Sequence, residues 1–395
     1  GGPGRTVGPR SVCPPRCTTM DLSGLLALID ETAGLGRLTG RLAPDRPARV
    51  GVSDGAKATT VAALALRLGR PVLVVVSRPN RAATLRDELE AWLGERGCAL
   101  LFPERDDLPY ERIAPDPADV RARLAALEAL ASPAGPLVVV ASGLALSQRT
   151  LTPAERRSAS VDVAPGDRRS PDDLLRAAVA MGYRREPQVL EPGTVSRRGS
   201  IVDLWPPAEG EPARVDFWGD EVDSVRRFDP ATQRSLGRVG SVRIGPAIEA
   251  LDWPAAVASL DKADVSAMTP AARAEFEEVV ASLARGEAHA GGERLMSFLC
   301  GGSLLDHLGP DAILVVEEPS EVEAAMRDFE EHAEEERAGL ERRGELPRGM
   351  PQPYVPWEGL AISLARHPLR LTVTRWAAGE EDGAVRLPFG PAEVF

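Results

Sequence analysis

The residues best placed to do chemistry in this sequence surround a lysine. GVSDGAKATT (51–60) lies between an apolar segment, Ala48 to Val52, and a segment of helical pattern, Thr59 to Leu68. A phosphate-binding loop sits at such a junction. It needs glycines so that backbone N–H groups can close on the phosphates, a lysine for the outer phosphates, and a serine or threonine directly after it for Mg²⁺. Lys57 is in place, but Ala56 precedes it, Ala58 follows it, Asp54 sits inside the loop and Thr59 comes one position late. The extra Cβ at 56 crowds the turn, Ala58 offers no hydroxyl to a metal, and Asp54 repels phosphate.

The second half of a nucleotide site is an apolar strand whose end carries Asp-Glu to hold Mg²⁺ and orient water. DAILVVEEPS (311–320) puts Glu317-Glu318 there, followed by Pro319. The added methylene of glutamate displaces the oxygen, and proline stiffens the turn. Two separately degraded halves at two strand ends point to descent from an ATPase and away from turnover. The plain alternative is an ordinary strand–turn–helix connection that resembles a phosphate loop by chance. A further alternative is a working ATP-dependent enzyme in which Lys57 and Glu318 still act.

These positions need a scaffold, and the patterning supplies one. Residues 21–35 carry helical spacing (Leu22, Leu25, Leu26, Leu28, Ile29), ending near Gly34 and Gly36. Strands at Ala48–Val52, Val72–Val76, Ala99–Phe102, Leu137–Ala141 and Ala312–Val316 alternate with helices at Thr59–Leu68, Asn80–Leu93 and Asp116–Leu130. Continuously apolar strands separated by helices imply a parallel sheet covered on both faces. Between them the texture changes: a helix at Pro171–Met181, then period-2 segments at Ser200–Leu204, Ala213–Phe217 and Val222–Phe228, the last two joined by Gly219-Asp220. That reads as a small antiparallel α+β unit. Residues 329–343 form a charged helix, a solvated face or a linker helix.

Composition excludes several classes. At 395 residues the chain is long for one core, so two or three domains are expected. A net charge of −12 confines any nucleic-acid contact to a local patch. No apolar run approaches the roughly 20 residues of a membrane span. Cys13, Cys17, Cys98 and Cys300 are scattered, and no second pair or histidine cluster makes Cys13 and Cys17 a metal site. A reducing cytoplasm and no metal are expected. Only Lys57 and Lys262 among the 47 basic residues are lysines, as in a GC-rich genome.

Three stretches carry a family resemblance: LFPERDDLPYERIAPDPADVRARLAALEAL (101–130), MGYRREPQVLEPGTVSRRGSIVDLWPP (181–207) and ARVDFWGDEVDSVRRFDPATQRS (213–235). With the weaker likeness of 48–76 and 311–320, the chain from about 45 to 320 resembles the N-terminal, UvrB-like module of the bacterial transcription-repair coupling factors. That module in turn resembles the excinuclease subunit UvrB, the other family to weigh. UvrB carries an intact phosphate loop and a β-hairpin after the third strand. Here Leu108-Pro109-Tyr110 runs through Ala114-Pro115 directly into the next helix, without room for one. The coupling factor is also the family expected to lack ATPase activity in this module.

The resemblance implies a degenerate helicase or RecA-like parallel sheet with an inserted small antiparallel α+β domain. It divides the chain into 1–19, a disordered or non-native leader before Met20; 20–150, the first part of the degenerate α/β domain; 151–246, a UvrA-binding α+β domain; 247–378, the remainder of the α/β domain; and 379–395, a linker to C-terminal domains beyond this fragment. It implies that UvrA is contacted by Arg198, before Gly199, and by Arg214 and Trp218 on a neighbouring strand. Strand alternation agrees: Arg214, Asp216 and Trp218 share one face while Val215 and Phe217 share the other. Trp and Arg are the types most enriched at interface hot spots. The competing possibility is that Trp218 packs across its hairpin and Arg214 pairs with a carboxylate such as Asp220. Arg184 and Arg197 are candidate rim contacts. Direct DNA binding through Arg184 to Arg198 is a weaker alternative.

For the fragment itself the resemblance implies no catalysis and no cofactor, with ATP and Mg²⁺ held by motor domains elsewhere in the parent. RNA polymerase and double-stranded DNA would be partners of that parent. The implied role is recruitment of UvrA to stalled transcription complexes for nucleotide excision repair. The alternative is a UvrB-like ATP-dependent helicase or excinuclease subunit with residual nucleotide binding.

Overall fold

The computed structural model describes residues 21–30, 33–44, 46–105, 116–251, 257–258, 260–285, 298, 300–375 and 384–387. The expected leader, with Cys13 and Cys17, and the turn from Leu108 to Pro115 lie outside the described residues. So does most of the stretch expected as a linker.

In chain order the strands are β1 (Ala48–Gly51), β2 (Val72–Val76), β3 (Cys98–Phe102), β4 (Leu137–Ser142), β5 (Val161–Val163), β6 (Arg184–Arg185), β7 (Thr194–Arg198), β8 (Ile201–Leu204), β9 (Ala213–Trp218), β10 (Glu221–Phe228), β11 (Ser235–Val239), β12 (Val242–Ile244), β13 (Ile313–Glu317), β14 (Arg370–Thr374) and β15 (Val385–Arg386). One sheet runs β15-β1-β14-β13-β2-β4-β3, and every described pairing in it is parallel. This is an α/β arrangement of the RecA-like helicase kind. Its strands send alternate residues into two cores. Val72, Val74 and Val76 pack with the helices Asp54–Leu68 and Pro79–Leu93. Leu73 and Val75 pack with helices Pro117–Ala131 and Pro319–Arg343. A side chain of this size taken fully out of water contributes about 1.5–3 kcal/mol, so strands buried on both faces must be apolar throughout.

The second sheet runs β11-β10-β9-β8-β7-β6. From β7 to β11 the neighbours are antiparallel, as the period-2 pattern implies, while the two-residue β6 joins β7 in parallel. Its inner face (Val195, Val202, Val215, Phe217, Val225) buries the apolar side of helix Pro171–Ala180, through Leu174 and Ala178. Ser170 caps that helix with a capping box to Asp173.

Several boundaries differ from the sequence pattern. The continuous helix over 21–35 is instead a 3₁₀ turn at Ser23–Leu25, a short helix Leu26–Asp30 and a second helix Ala33–Arg41 that runs through both glycines. The charged helix is longer than 329–343 and begins at Pro319, because proline suits a first helical position. The helix after β1 begins at Asp54 and not at Thr59. Residues expected to form a loop are therefore its first turn. Val385 and Arg386, within the expected linker, pair with Val50 and Gly51 at the sheet edge.

Candidate functional site

Lys57 stands on the first turn of the helix that follows β1, with a side chain only 2% exposed. Its ammonium is surrounded by carboxylates. Asp54 Oδ1 lies at 3.0 Å, Glu317 Oε1 at 3.3 Å and Glu318 Oε1 at 2.8 Å. Asp54 is one turn back on the same helix, whereas Glu317 and Glu318 arrive from the end of β13, beyond β14. Glu318 is held in the left-handed region at φ 44°, and its Oε1 also accepts the backbone N–H of Arg375 at 2.5 Å. Arg81, following β2, grips Glu317 through Nε at 2.9 Å and Nη2 at 3.2 Å, and Arg375 pairs with Asp54.

The electrostatics are those of a closed ion cluster. Burial by itself drives the Lys57 pKa down; the hydrogen bond to Glu318 and the charge of Glu317 outweigh it, so the pKa is raised. Burial raises Asp54, but its hydrogen bonds from Arg375 and Lys57 outweigh that and leave its pKa lowered. Lys57, Glu317 and Glu318 are thus brought together, as the strand ends implied. The sequence did not show that the lysine's donors point at those carboxylates, nor that Arg81 and Arg375 complete the set. The negative charge of Asp54, read as an obstacle to phosphate, is also a structural partner of the lysine.

The second group of residues lies on the outer face of β7–β10. Gly199-Ser200 and Gly219-Asp220 form two-residue turns at the same end of the sheet, and both glycines have φ +61°, the left-handed value that hairpin turns of this kind require. The turns bring Arg198 and Trp218 to that end. Trp218 is 85% exposed, while Val215 and Phe217 are buried on the opposite face. Cross-hairpin packing of Trp218 is therefore not what holds it. Arg214 pairs with Asp203, its direct neighbour on β8, rather than with Asp220: Nε to Oδ1 is 2.7 Å and Nη2 to Oδ2 is 2.9 Å. This hydrogen-bonded pair raises the Arg214 pKa further. Asp203 Oδ2 is 3.6 Å from Arg198 Nη2. Arg198 and Trp218 thus stand at the turn end of this face, and Arg214, four residues back along β9, is joined to Arg198 through Asp203.

Asp203 was not singled out by sequence. Its signal was faint: an acidic residue inside the apolar run Ile201-Val202-Asp203-Leu204. The rim candidates Arg184 and Arg197 pair with Glu191 and Asp172. With Arg198 near Asp203, three of the arginines between 184 and 198 stand beside carboxylates, which weakens the basic stripe that duplex binding needs.

The family model of the UvrB interaction domain matches residues 161–249. The transcription-repair-coupling factor of Myxococcus xanthus is 34% identical over 206 residues, which is 51% of this chain and 17% of that protein. The Bacillus subtilis transcription-repair-coupling factor is 27% identical over 303 residues, 73% of this chain and 25% of its own length. The chain is a relative of the transcription-repair-coupling factors. The UvrABC system protein B of Gemmatimonas aurantiaca is also similar, 28% identical over 210 residues, covering 50% of this chain and 30% of that protein. Across these relatives the chain spans between 17% and 30% of their length.

The last residue of the UvrB interaction domain match, Glu249, is buried among residues of the parallel-sheet unit. Its Oε1 accepts from Arg123 Nε at 2.8 Å and Thr150 Oγ1 at 2.6 Å, and Oε2 accepts from Arg105 Nη1 at 3.2 Å. Arg123 is fully buried, lies 4.1 Å above the Phe102 ring centroid and also donates to the carbonyl of Pro103. Burial pushes Glu249 up, but the charges of Arg123 and Arg105 outweigh it, so its pKa is lowered. This joint ties the interaction domain to the sheet, and sequence spacing held no sign of it.

Proposed function

We propose that residues 161–249 form a docking domain for UvrA, and that the parallel-sheet unit is its non-hydrolysing frame. The observation that carries this is Trp218. A large aromatic left 85% exposed at the end of a well-packed sheet, on the face that also carries Arg198 and Arg214, has the composition of an interface hot spot. The UvrB interaction domain match supplies the kind of partner. In the relatives named for coupling transcription to repair, such a domain would recruit UvrA to stalled transcription complexes, with RNA polymerase and double-stranded DNA contacted by other parts of the parent.

The frame is proposed to bind no ATP and no Mg²⁺. Lys57 donates to Asp54, Glu317 and Glu318 where a phosphate would have to enter. Phosphate oxygens brought there would face three carboxylates. The helix begins at Asp54, so the residues that would form a phosphate cradle are already in a helical turn.

Titration of purified UvrA against the chain tests the docking face. Truncating a hot-spot residue costs about 2 kcal/mol or more, some thirtyfold in Kd. Trp218→Ala should therefore weaken binding by at least that factor, and Arg198→Ala by less. Undiminished affinity in both variants overturns the assignment of this face. For a parallel-sheet unit that retained a nucleotide site, calorimetric titration with ATP and Mg²⁺ would give saturable heat.

A further inference from the structure

The Arg214 guanidinium is restrained on every edge that the sheet offers. Nε and Nη2 form the two-point pair with Asp203, Nη1 donates to the carbonyl of Gln233 at 3.3 Å, and the guanidinium carbon sits 4.7 Å above the Phe228 ring centroid. Asp203 is only 2% exposed and Phe228 is fully buried, so neither partner moves easily. Arg214 itself is 17% exposed, and three of its five N–H donors are committed.

Gln233 shows how firmly this arrangement is imposed. It has φ 61°, one of two non-glycine residues in the left-handed region among the described residues. A side chain in that conformation is strained, and it persists only where the surroundings over-determine it. Here the side-chain amide is tied to the carbonyls of Val189 at 3.2 Å and Pro230 at 2.7 Å, and Asp229 accepts the N–H of Gln233 through its carbonyl at 2.7 Å. These bonds turn the Gln233 carbonyl onto Arg214. A strained backbone whose carbonyl caps an arginine at a proposed docking face indicates that the position of this arginine is what the strain secures.

We infer that Asp203 and Gln233 are positioning residues of the docking face. Asp203 aligns Arg214 by its two-point pair and stands beside Arg198, while Gln233 fixes the far edge of the guanidinium. A free arginine loses its rotamer freedom when it is captured by a partner, which weakens binding. Here the fold has removed that freedom in advance. The part-buried Arg214, the 56% exposed Arg198 and the exposed Trp218 lie on this one face. The partner surface that fits offers an oxygen acceptor, a carboxylate or a backbone carbonyl, to the arginines and a separate apolar pocket to the indole. This rests on the docking role proposed above.

The test is a double-mutant cycle on the whole chain, with purified UvrA titrated against wild type, Asp203→Asn, Arg214→Ala and the Asp203→Asn/Arg214→Ala pair, and Trp218→Ala and Arg198→Ala in parallel. Asp203→Asn keeps the shape and loses the two-point charge pair. It is expected to weaken UvrA binding about tenfold, roughly the cost of ordering one or two long side chains. In the Arg214→Ala background the same substitution should change Kd by no more than about threefold, the residue acting on Arg198. Equal weakening in both backgrounds means a general structural effect and overturns the inference. Should Asp203→Asn fail to fold, Gln233→Gly carries the test. Glycine accepts the φ of 61° without strain but removes the side-chain anchors, so about threefold weaker binding, absent in the Arg214→Ala background, is expected. Unchanged affinity in the positioning variants while Trp218→Ala binds weakly overturns the positioning role alone. Unchanged affinity in Trp218→Ala and Arg198→Ala alike overturns the docking face beneath it.

Discussion

Replacing Lys57 by methionine separates a lysine that holds phosphate from one that holds the protein together. The substitution keeps the stem and removes the charge. Two unit charges 3 Å apart at an effective dielectric of about 20 attract by about 5 kcal/mol, and most of this is offset by the several kcal/mol needed to desolvate each ion. Removing one member of a buried pair costs about 3–5 kcal/mol when the other is orphaned. No carboxylate is orphaned here: Asp54 keeps Arg375, Glu317 keeps Arg81, and Glu318 keeps the backbone N–H of Arg375. The expected loss is therefore lower, about 2–3 kcal/mol. Urea unfolding followed by circular dichroism measures it. The same experiment with ATP and Mg²⁺ asks whether the cleft takes nucleotide, since a ligand at a hundred times its Kd would add about 2.7 kcal/mol. No nucleotide-dependent gain is expected in either protein. A gain in wild type that disappears in Lys57→Met, with little loss of stability in the absence of nucleotide, would refute the closed ion cluster.

Glu249→Gln should destabilise the protein by about 3–5 kcal/mol, because the fully buried Arg123 loses its charged partner in this joint; chemical denaturation measures it, and a loss under about 1 kcal/mol would mean the joint is not load-sharing. Because the folded pKa of Glu249 is lowered from 4.5, its contribution is present above that unfolded value and is lost as pH falls through the folded one. The variant should therefore show a shallower acid limb. His307 is buried, its Nε2 lies 2.7 Å from the Leu151 carbonyl, and burial holds its pKa below 6.5. The unfolded chain takes up a proton there first, so stability should decline as pH falls below 6.5, by up to about 1.4 kcal/mol per unit. His307→Gln should remove that slope; denaturation midpoints at a series of pH values would reveal a retained slope if another group is responsible.

Much of the framework follows from the sequence alone. Apolar runs such as Val72–Val76 and Ile313–Val316 have no polar face, so they must be covered on both sides, and parallel pairing between helices provides this. Alternation along Arg214–Trp218 likewise fixed which side chains face out, because the period of a strand is two and Val215 and Phe217 must be buried. Strand β14 (Arg370–Thr374) left only a weak trace, since its alternating polar residues resemble those of a surface strand. The helical start at Asp54 was hidden because the glycine and small residues of 53–58 read equally well as a turn.

The partners of the charged residues belong to the tertiary structure. Lys57 and Glu317 are far apart in the chain, and they meet only because β13 lies one strand removed from β1. Arg214 could have met Asp220 across its own hairpin, yet the register of β8 against β9 places Asp203 directly opposite and within two-point reach. Periodicity is local and survives in any fold that buries the right face. Which carboxylate neutralises which cation depends on strand order and register, and these are set by the packing of the whole chain.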